Sequence, residues 1–343
     1  MRKLVLIALP AIAIGMFLVV RARQEPAPTG LLYSSKTKAE PAVDDSVSIL
    51  NFGDMMFDRN VRKRMQNGLD PFASLRGTFD DLLPGVDFVV ANLEGPIVEM
   101  DRKKCQQKAY NFQFASTTPA LLRGAGINMV NLANNHSFDC YQHGVASTTE
   151  YLDAAGVGYF GGESLETRYL VKSVGDKSVA FVGIDQTIRP TKVKDFYPLM
   201  KELKSANDYV IVNIHWGNEY EVKESKVQND IAHNLIDNGV DVVFGHHPHV
   251  IQPVEVYKGK AIFYSLGNLI FDQIDPGTNQ GIGAGVVLEA SSTSAYVFPY
   301  TIDNSEPKML SPEESLAFCK EYLKDIASST GCTFLIEQRS LVE

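Results

Sequence analysis

The stretch Asp241-Val242-Val243-Phe244-Gly245-His246-His247-Pro248-His249 decides how this chain is read. A short run of Val and Phe ends directly in a loop rich in His. Four other runs end in the same way: Asp54 follows Ile49 to Phe52, Asn92 and Glu94 follow Phe88 to Ala91, Asn134-Asn135-His136 follows Met129 to Ala133, and His215 ends Val210 to Ile214. Short runs rich in Val, Ile and Phe, alternating with helical patterns, are the signature of an α/β fold. Strands are expected at Val47 to Phe52, Asp87 to Asn92, Asn128 to Leu132, Ser178 to Ile184, Asp208 to His215 and Asp241 to Phe244. Helices are expected at Val145 to Ala155, Val193 to Ala206 and Lys226 to Asn238, with a short turn opening at Thr118 and Pro119 and a C-cap at Gly239. Downstream, Gln252 to Tyr257 with Ala261 to Tyr264, and Gly283 to Glu289 with Ala295 to Ile302, read as antiparallel pairs before a helix from Pro312 to Ile326.

In an open α/β sheet, groups just past the carboxyl ends of parallel strands converge on one rim, where ligands bind. Six of the seven His residues, at 136, 143, 215, 246, 247 and 249, fall near these motifs, and only His233 sits within a helix. Each piece alone has an ordinary explanation. A strand-end Asp such as Asp54 is more often a cap or turn former, and His215 beside Trp216 more often a hydrogen-bonded core residue. The pair His247 and His249 is stronger, because alternate residues of an extended segment approach one cation. Together the mixture of Asp, Glu, Asn and His suits Zn, Mn or Fe rather than Ca or Mg.

The 343 residues carry 32 Lys plus Arg against 41 Asp plus Glu, a net charge of −9, which gives no electrostatic basis for gripping nucleic acid. The first 46 residues hold six basic and four acidic side chains, so the remainder carries −11. Arg2 and Lys3 precede an apolar run from Leu4 to Val20, followed by Arg21 and Arg23. Residues 1–23 read as a membrane anchor or a signal segment and 24–46 as a polar linker, leaving 47–343 as the exported domain with a C-terminal helical extension. Export permits disulfides among the four Cys. Pairing within halves, Cys105 with Cys140 and Cys319 with Cys332, is expected, because the second pair flanks a short helix and the Gly331 turn; four unpaired buried thiols are the alternative.

Six motifs carry a family resemblance: Gly53-Asp54-Met55-Met56, Asn92-Leu93-Glu94-Gly95, Asn134-Asn135-His136-Ser137-Phe138-Asp139, His215-Trp216-Gly217-Asn218-Glu219, Gly245-His246-His247-Pro248-His249 and Ser265-Leu266-Gly267-Asn268. In order and approximate spacing they resemble the CapA family of capsule and poly-γ-glutamate synthesis proteins, from about Ser46 to Ile302. That family is similar to the calcineurin-like metallophosphoesterases, which implies a two-sheet sandwich flanked by helices and a centre for two divalent metal ions. The resemblance makes Asp54, Glu94, Asn135, His215, His247 and His249 metal ligands, Glu94 bridging, and His136 the proton donor to the leaving oxygen. Asn92, Asp139, Glu219 and Asn268 would support ligands or face substrate, with Asp272 on the same rim. Two departures stand out: Met56 occupies the place of a phosphoesterase His, and Asn92-x-Glu94 replaces that family's second Asp motif. A reduced or single-metal centre is the alternative, and His246 is the alternative to His247. Arg59 and Arg189 are the basic residues nearest the motifs, placed either to meet a substrate anion or to form surface ion pairs.

The function implied is a membrane-anchored or exported metal-dependent hydrolase in synthesis of an anionic extracellular polymer, acting on the polymer or its precursor. The alternatives are a non-catalytic polymer-binding or export accessory of a membrane synthase, and a general exported metallophosphatase. The chain has no Gly-x4-Gly-Lys-Ser/Thr, so energy for polymerisation would come from a partner.

Overall fold

The computed structural model describes residues 45–99, 104–187, 193–326 and 329–337. The apolar segment Leu4 to Val20, nearly all of the linker, and Arg189 lie outside the described residues. Among the described residues no helix is long and apolar enough to cross a membrane.

The chain builds one sheet, leaves it for a second, and returns. β1 (Val47–Met55), β2 (Phe88–Leu93), β3 (Met129–Asn131) and β4 (Gly158–Phe160) run parallel. In the second sheet, β6 (Lys177–Asp185), β7 (Tyr209–His215), β8 (Val242–His246) and β10 (Lys260–Leu266) are parallel. Antiparallel β5 (Tyr169–Val174) and β9 (Ile251–Tyr257) form its edges. β11 (Asn268–Ile270) then pairs with the end of β1, and β12 (Gln280–Leu288) lies antiparallel to β1. β13 (Ser292–Asp303), β14 (Glu306–Met309), β15 (Ser329–Thr330) and β16 (Thr333–Glu337) complete this sheet.

Alternation along each strand assigns its two faces. Val47, Ile49, Val90 and Met129 meet Phe181, Ile211, Val242 and Phe244 in a core between the sheets. The opposite face of the first sheet, through Leu50, Phe52 and Val89, packs on α1 (Arg59–Gln66), α2 (Phe79–Leu82), α3 (Thr118–Ala125) and α4 (Tyr141–Ala155). After the short α5 (Leu165–Arg168), α6 (Tyr197–Ala206) and α7 (Lys226–Asp237) cover Val210, Val212 and Val243 of the second sheet. The result is the expected two-sheet sandwich flanked by helices. Three core layers at roughly 25 cal/mol per Å² of apolar surface make burial its dominant stabilising term.

The inward rows change character near the strand ends. Ile49 gives way to Asn51, Val90 to Asn92, Met129 to Asn131, Ile211 to Asn213 and His215, and Phe244 to His246, all buried. Asn51 Nδ2 donates across the sheets to Asn213 Oδ1 at 2.8 Å, while Asn51 Oδ1 and Asn213 Nδ2 have no hydrogen-bond partner among the described residues. The strand ends therefore meet in a polar layer.

Three expectations need correction. The C-terminal region is not simply a helical extension: α8 (Pro312–Tyr322) stops short of Ile326, and β16 pairs with β13, placing Phe334 and Ile336 in the inter-sheet core. Helix α4 starts at Tyr141 rather than Val145, because Tyr141-Gln142-His143 is an exposed first turn with no apolar periodicity to announce it. His143 is thus a solvent-facing helix residue outside the cluster. The expected disulfides are both present, Cys105 with Cys140 and Cys319 with Cys332.

Candidate metal centre

Asp54 ends β1, Glu94 follows β2, Asn135 and His136 follow β3, His215 ends β7, and His246 to His249 turn out of β8. Parallel neighbours in each sheet bring these ends to one rim, and β11 adds Asn268 opposite Asp54. Gly53 is what lets β11 lie there: a Cβ at this position would sit 1.8 Å from the Gly267 carbonyl oxygen.

Asp54 and Glu94 are completely buried. Asp54 Oδ1 accepts from Asn92 Nδ2 at 2.8 Å and Oδ2 from the His247 N–H at 3.1 Å, while His249 Nδ1 lies 3.3 Å from Oδ2. Glu94 Oε1 faces His249 Nε2 at 3.7 Å and both His215 Nε2 and His136 Nε2 at 3.9 Å. Neither Glu94 oxygen accepts a hydrogen bond from the described residues. A buried carboxylate without donors, ringed by imidazole nitrogens, fits a cation, which would supply the charge that burial removes. One ligand atom each from Asp54, Glu94 and His249 lie within 4.8 Å of one another.

The electrostatics follow from crowding. Burial pushes the Glu94 carboxyl well above the usual range, with His249 opposing. Burial would also raise Asp54, but the hydrogen bond and charge of His249 hold it well below the ordinary carboxylate value. Burial works against charge on His249, yet facing Glu94 and Asp54 lift it to about 9. Burial lowers His215 well below its ordinary value and holds His246 and His247 at about 4, so these rings are neutral, the form that ligates metal.

Ring orientations are set by amides. Asn268 Oδ1 lies 2.9 Å from His249 Nδ1, and Asn213 Oδ1 3.0 Å from His246 Nε2. His246 Nδ1 is left 3.6 Å from Asp54 Oδ1 with no hydrogen-bond partner among the described residues, and His247 Nδ1 likewise has none. His246 thus faces Asp54, and the His247 ring lies 4.8 Å from that of His215. Asn135 Oδ1 meets His215 Nε2 at 2.9 Å. His136 Nδ1 is held by the buried Asp139 at 2.8 Å, and its ring lies 4.1 Å from that of Phe112. Asp139 is completely buried, and Lys108 Nζ approaches it to 2.6 Å. Glu219 is exposed.

Arg59 and Asp272 do not line a free rim. They pair with each other, and the guanidinium lies 5.7 Å from the Phe112 ring centroid. Met56 is buried with its sulfur accepting the Asp58 N–H at 3.0 Å, so it is turned to the chain rather than offered to a ligand. The inter-sheet amides Asn51, Asn131 and Asn213 escaped the sequence reading, although their place in period-2 register after Ile49, Met129 and Ile211 was a usable signal.

A two-sheet sandwich whose parallel strands end on buried carboxylates and neutral imidazoles offers a set of side chains able to hold a metal ion. The family model described as "Bacterial capsule synthesis protein PGA_cap" matches residues 48–273, and the chain belongs to that family. It is 30% identical over 290 residues to "PGA biosynthesis protein CapA" of Bacillus subtilis, covering 79% of this chain and 73% of that protein. It is 30% identical over 289 residues to "Capsule biosynthesis protein CapA" of Bacillus anthracis, covering 77% and 70%. Among solved structures it is similar to a phosphatase from Mycoplasma pneumoniae, with TM-score 0.46, 15% identity and 78% and 92% of the two chains covered.

Proposed function

We propose that this protein is an exported, metal-dependent hydrolase serving the synthesis, release or attachment of an anionic capsule polymer of the poly-γ-glutamate type. One observation carries the chemistry: Glu94, fully buried and with neither oxygen hydrogen-bonded, faces imidazole nitrogens of His136, His215 and His249. Asp54, Glu94, Asn135, His215, His247 and His249 would hold the metal, with His246 aimed at Asp54. Bound divalent cations supply electrophilic activation and bring the pKa of water towards neutrality.

The remaining steps belong to the chain. Asp139 fixes the His136 Nδ1 side, which leaves Nε2 towards Glu94 as the atom that exchanges a proton with water and leaving group. Burial lowers the His136 pKa against the pull of Asp139, so the resting ring is neutral at pH 7. A cavity of about 690 Å³ reaches Asn135 and is lined in part by Gln106, Lys108, Gln142 and Arg168. Its charge is mixed, because Glu163 and Asp185 line it together with Lys108 and Arg168, and Lys108 is already paired with Asp139. Two disulfides and the apolar segment Leu4 to Val20 support an oxidising location at the cell envelope.

The test is metal analysis of the purified protein with hydrolysis of a chromogenic phosphodiester. Tightly bound metal and a loss on the order of 10² to 10⁴-fold in His136→Ala are expected. Absence of metal and turnover would instead favour the accessory reading, which the turned-away Met56 sulfur supports.

A further inference from the structure

The proton donor His136 is flanked by a segment with no regular structure of its own. Residues 106–111 form no helix or strand, and none of their side chains is buried. Both ends of the segment are nevertheless fixed. At its start Cys105 is bridged to Cys140, which directly follows Asp139, and the two cysteines pack with Val98 in a small cluster apart from the three main core layers. At its end Phe112 and Phe114 enter the core on the helical face of the first sheet, and Phe114 donates its N–H to the Pro96 carbonyl at 2.8 Å.

The contacts of this segment converge on Asp139. The Gln106 N–H donates to the Asp139 carbonyl at 2.7 Å, and Asn111 Nδ2 donates to the same oxygen at 2.9 Å. Gln106 Nε2 donates to the neighbouring Phe138 carbonyl at 2.7 Å. On the carboxylate, Oδ2 accepts the Phe112 N–H at 2.6 Å beside its 2.8 Å contact with His136 Nδ1, and the Lys108 ammonium lies 2.6 Å from Oδ1. The Phe112 ring covers the imidazole, with centroids 4.1 Å apart and planes inclined by 30°. A buried carboxylate keeps its charge only with donors upon it, and among the described residues those beyond His136 come from Lys108 and Phe112. Surface segments held by accessible hydrogen bonds open at little cost, whereas a bridge between positions 35 apart in sequence removes much of that freedom.

We infer that the Cys105–Cys140 bridge and the segment it closes, acting through Lys108 and Phe112, are a positioning device for the His136–Asp139 pair, holding the imidazole where it can protonate a leaving oxygen. This rests on the reading of His136 as proton donor and adds to it residues that touch no metal. The other bridge, Cys319–Cys332, joins α8 to the C-terminal strand and gives an internal comparison.

Turnover of two phosphodiesters by the full chain tests this, one with 4-nitrophenol and one with phenol as the leaving group. The more basic phenol oxygen depends more on a proton donor, so a misplaced His136 raises the ratio of kcat on the first to kcat on the second, whereas a smaller folded fraction lowers both alike. In Cys105→Ala/Cys140→Ala the ratio should rise by about tenfold, part of the contribution of a positioned acid, and in His136→Ala further. Cys319→Ala/Cys332→Ala should leave it unchanged. Lys108→Met should raise it and Lys108→Arg restore it, which decides the matter where the double variant does not fold. In metal-free protein the Phe112 amide hydrogen, followed by NMR, should exchange about tenfold faster or more once Cys105 and Cys140 are replaced. An unchanged ratio or unchanged Phe112 exchange in folded Cys105→Ala/Cys140→Ala, an equal rise in Cys319→Ala/Cys332→Ala, or an unchanged ratio in Lys108→Met overturns the device and leaves the hydrolase reading standing. A wild type that turns over neither diester overturns both.

Discussion

His249 stands between two buried carboxylates, and this single placement governs how the centre responds to pH. Its pKa of about 9 lies above the ordinary 6.5, so its contribution to the metal-free fold is complete below pH 6.5 and lost as pH rises through about 9. Glu94, also raised, acts in the same direction, because the unfolded chain ionises it first as pH increases. The melting temperature of chelator-stripped protein should therefore fall between pH 6.5 and 9, and His249→Asn should flatten that slope. A flat wild-type profile would refute the assignment. Over the same interval zinc affinity should rise, since a metal ion displaces the proton on His249. The types of residue needed for this chemistry were legible in the motifs. The placement of His247 and the approach of Glu219 were not, because both depend on turns with left-handed residues that no spacing rule supplies, and the direction of Met56 is set by its contact with the Asp58 N–H.

At the level of elements, the end of β1 is the critical joint. Asp54 N donates to Gly267 O at 3.0 Å, and the register shifts between Asp54 and Met55 where β11 joins. Gly53→Ala would put a methyl into the Gly267 backbone, which cannot move aside as a side chain would. Overpacking of this kind costs about 1 to 3 kcal/mol, and the displaced strand end should also weaken metal binding. Chemical denaturation and zinc titration of the variant check both, and wild-type stability would contradict the close approach. The strands from β1 to β10 that carry apolar runs were visible in sequence. Edge strand β5, half-exposed and broken by Lys172 and Ser173, and the short β4 and β11 were not, since strands so short or so polar acquire their identity from neighbours.

For the whole molecule, the return of the chain to its first sheet is decisive. Cys319 on α8 joins Cys332 next to β16, and Phe334 and Ile336 then enter the core between the sheets. The bridge spans a separation of 13 residues, so replacing both cysteines by Ala should cost up to about 3 kcal/mol in denaturant titration. No change would mean that packing alone holds the C-terminal segment. The amino-acid sequence by itself determined the α/β class and the strand-end location of Asp54, Glu94, His136, His215 and His249, because periodicity and motif order are local properties of the chain, whereas the choice among disulfide pairings was made by the fold. Only the tertiary structure decided which nitrogens face Glu94, that Arg59 is committed to Asp272, and that Glu219 reaches the His247–His249 turn. Those outcomes come from two sheets closing on a shared polar layer, where burial and distance across the fold, rather than neighbourhood in sequence, set charge and contact.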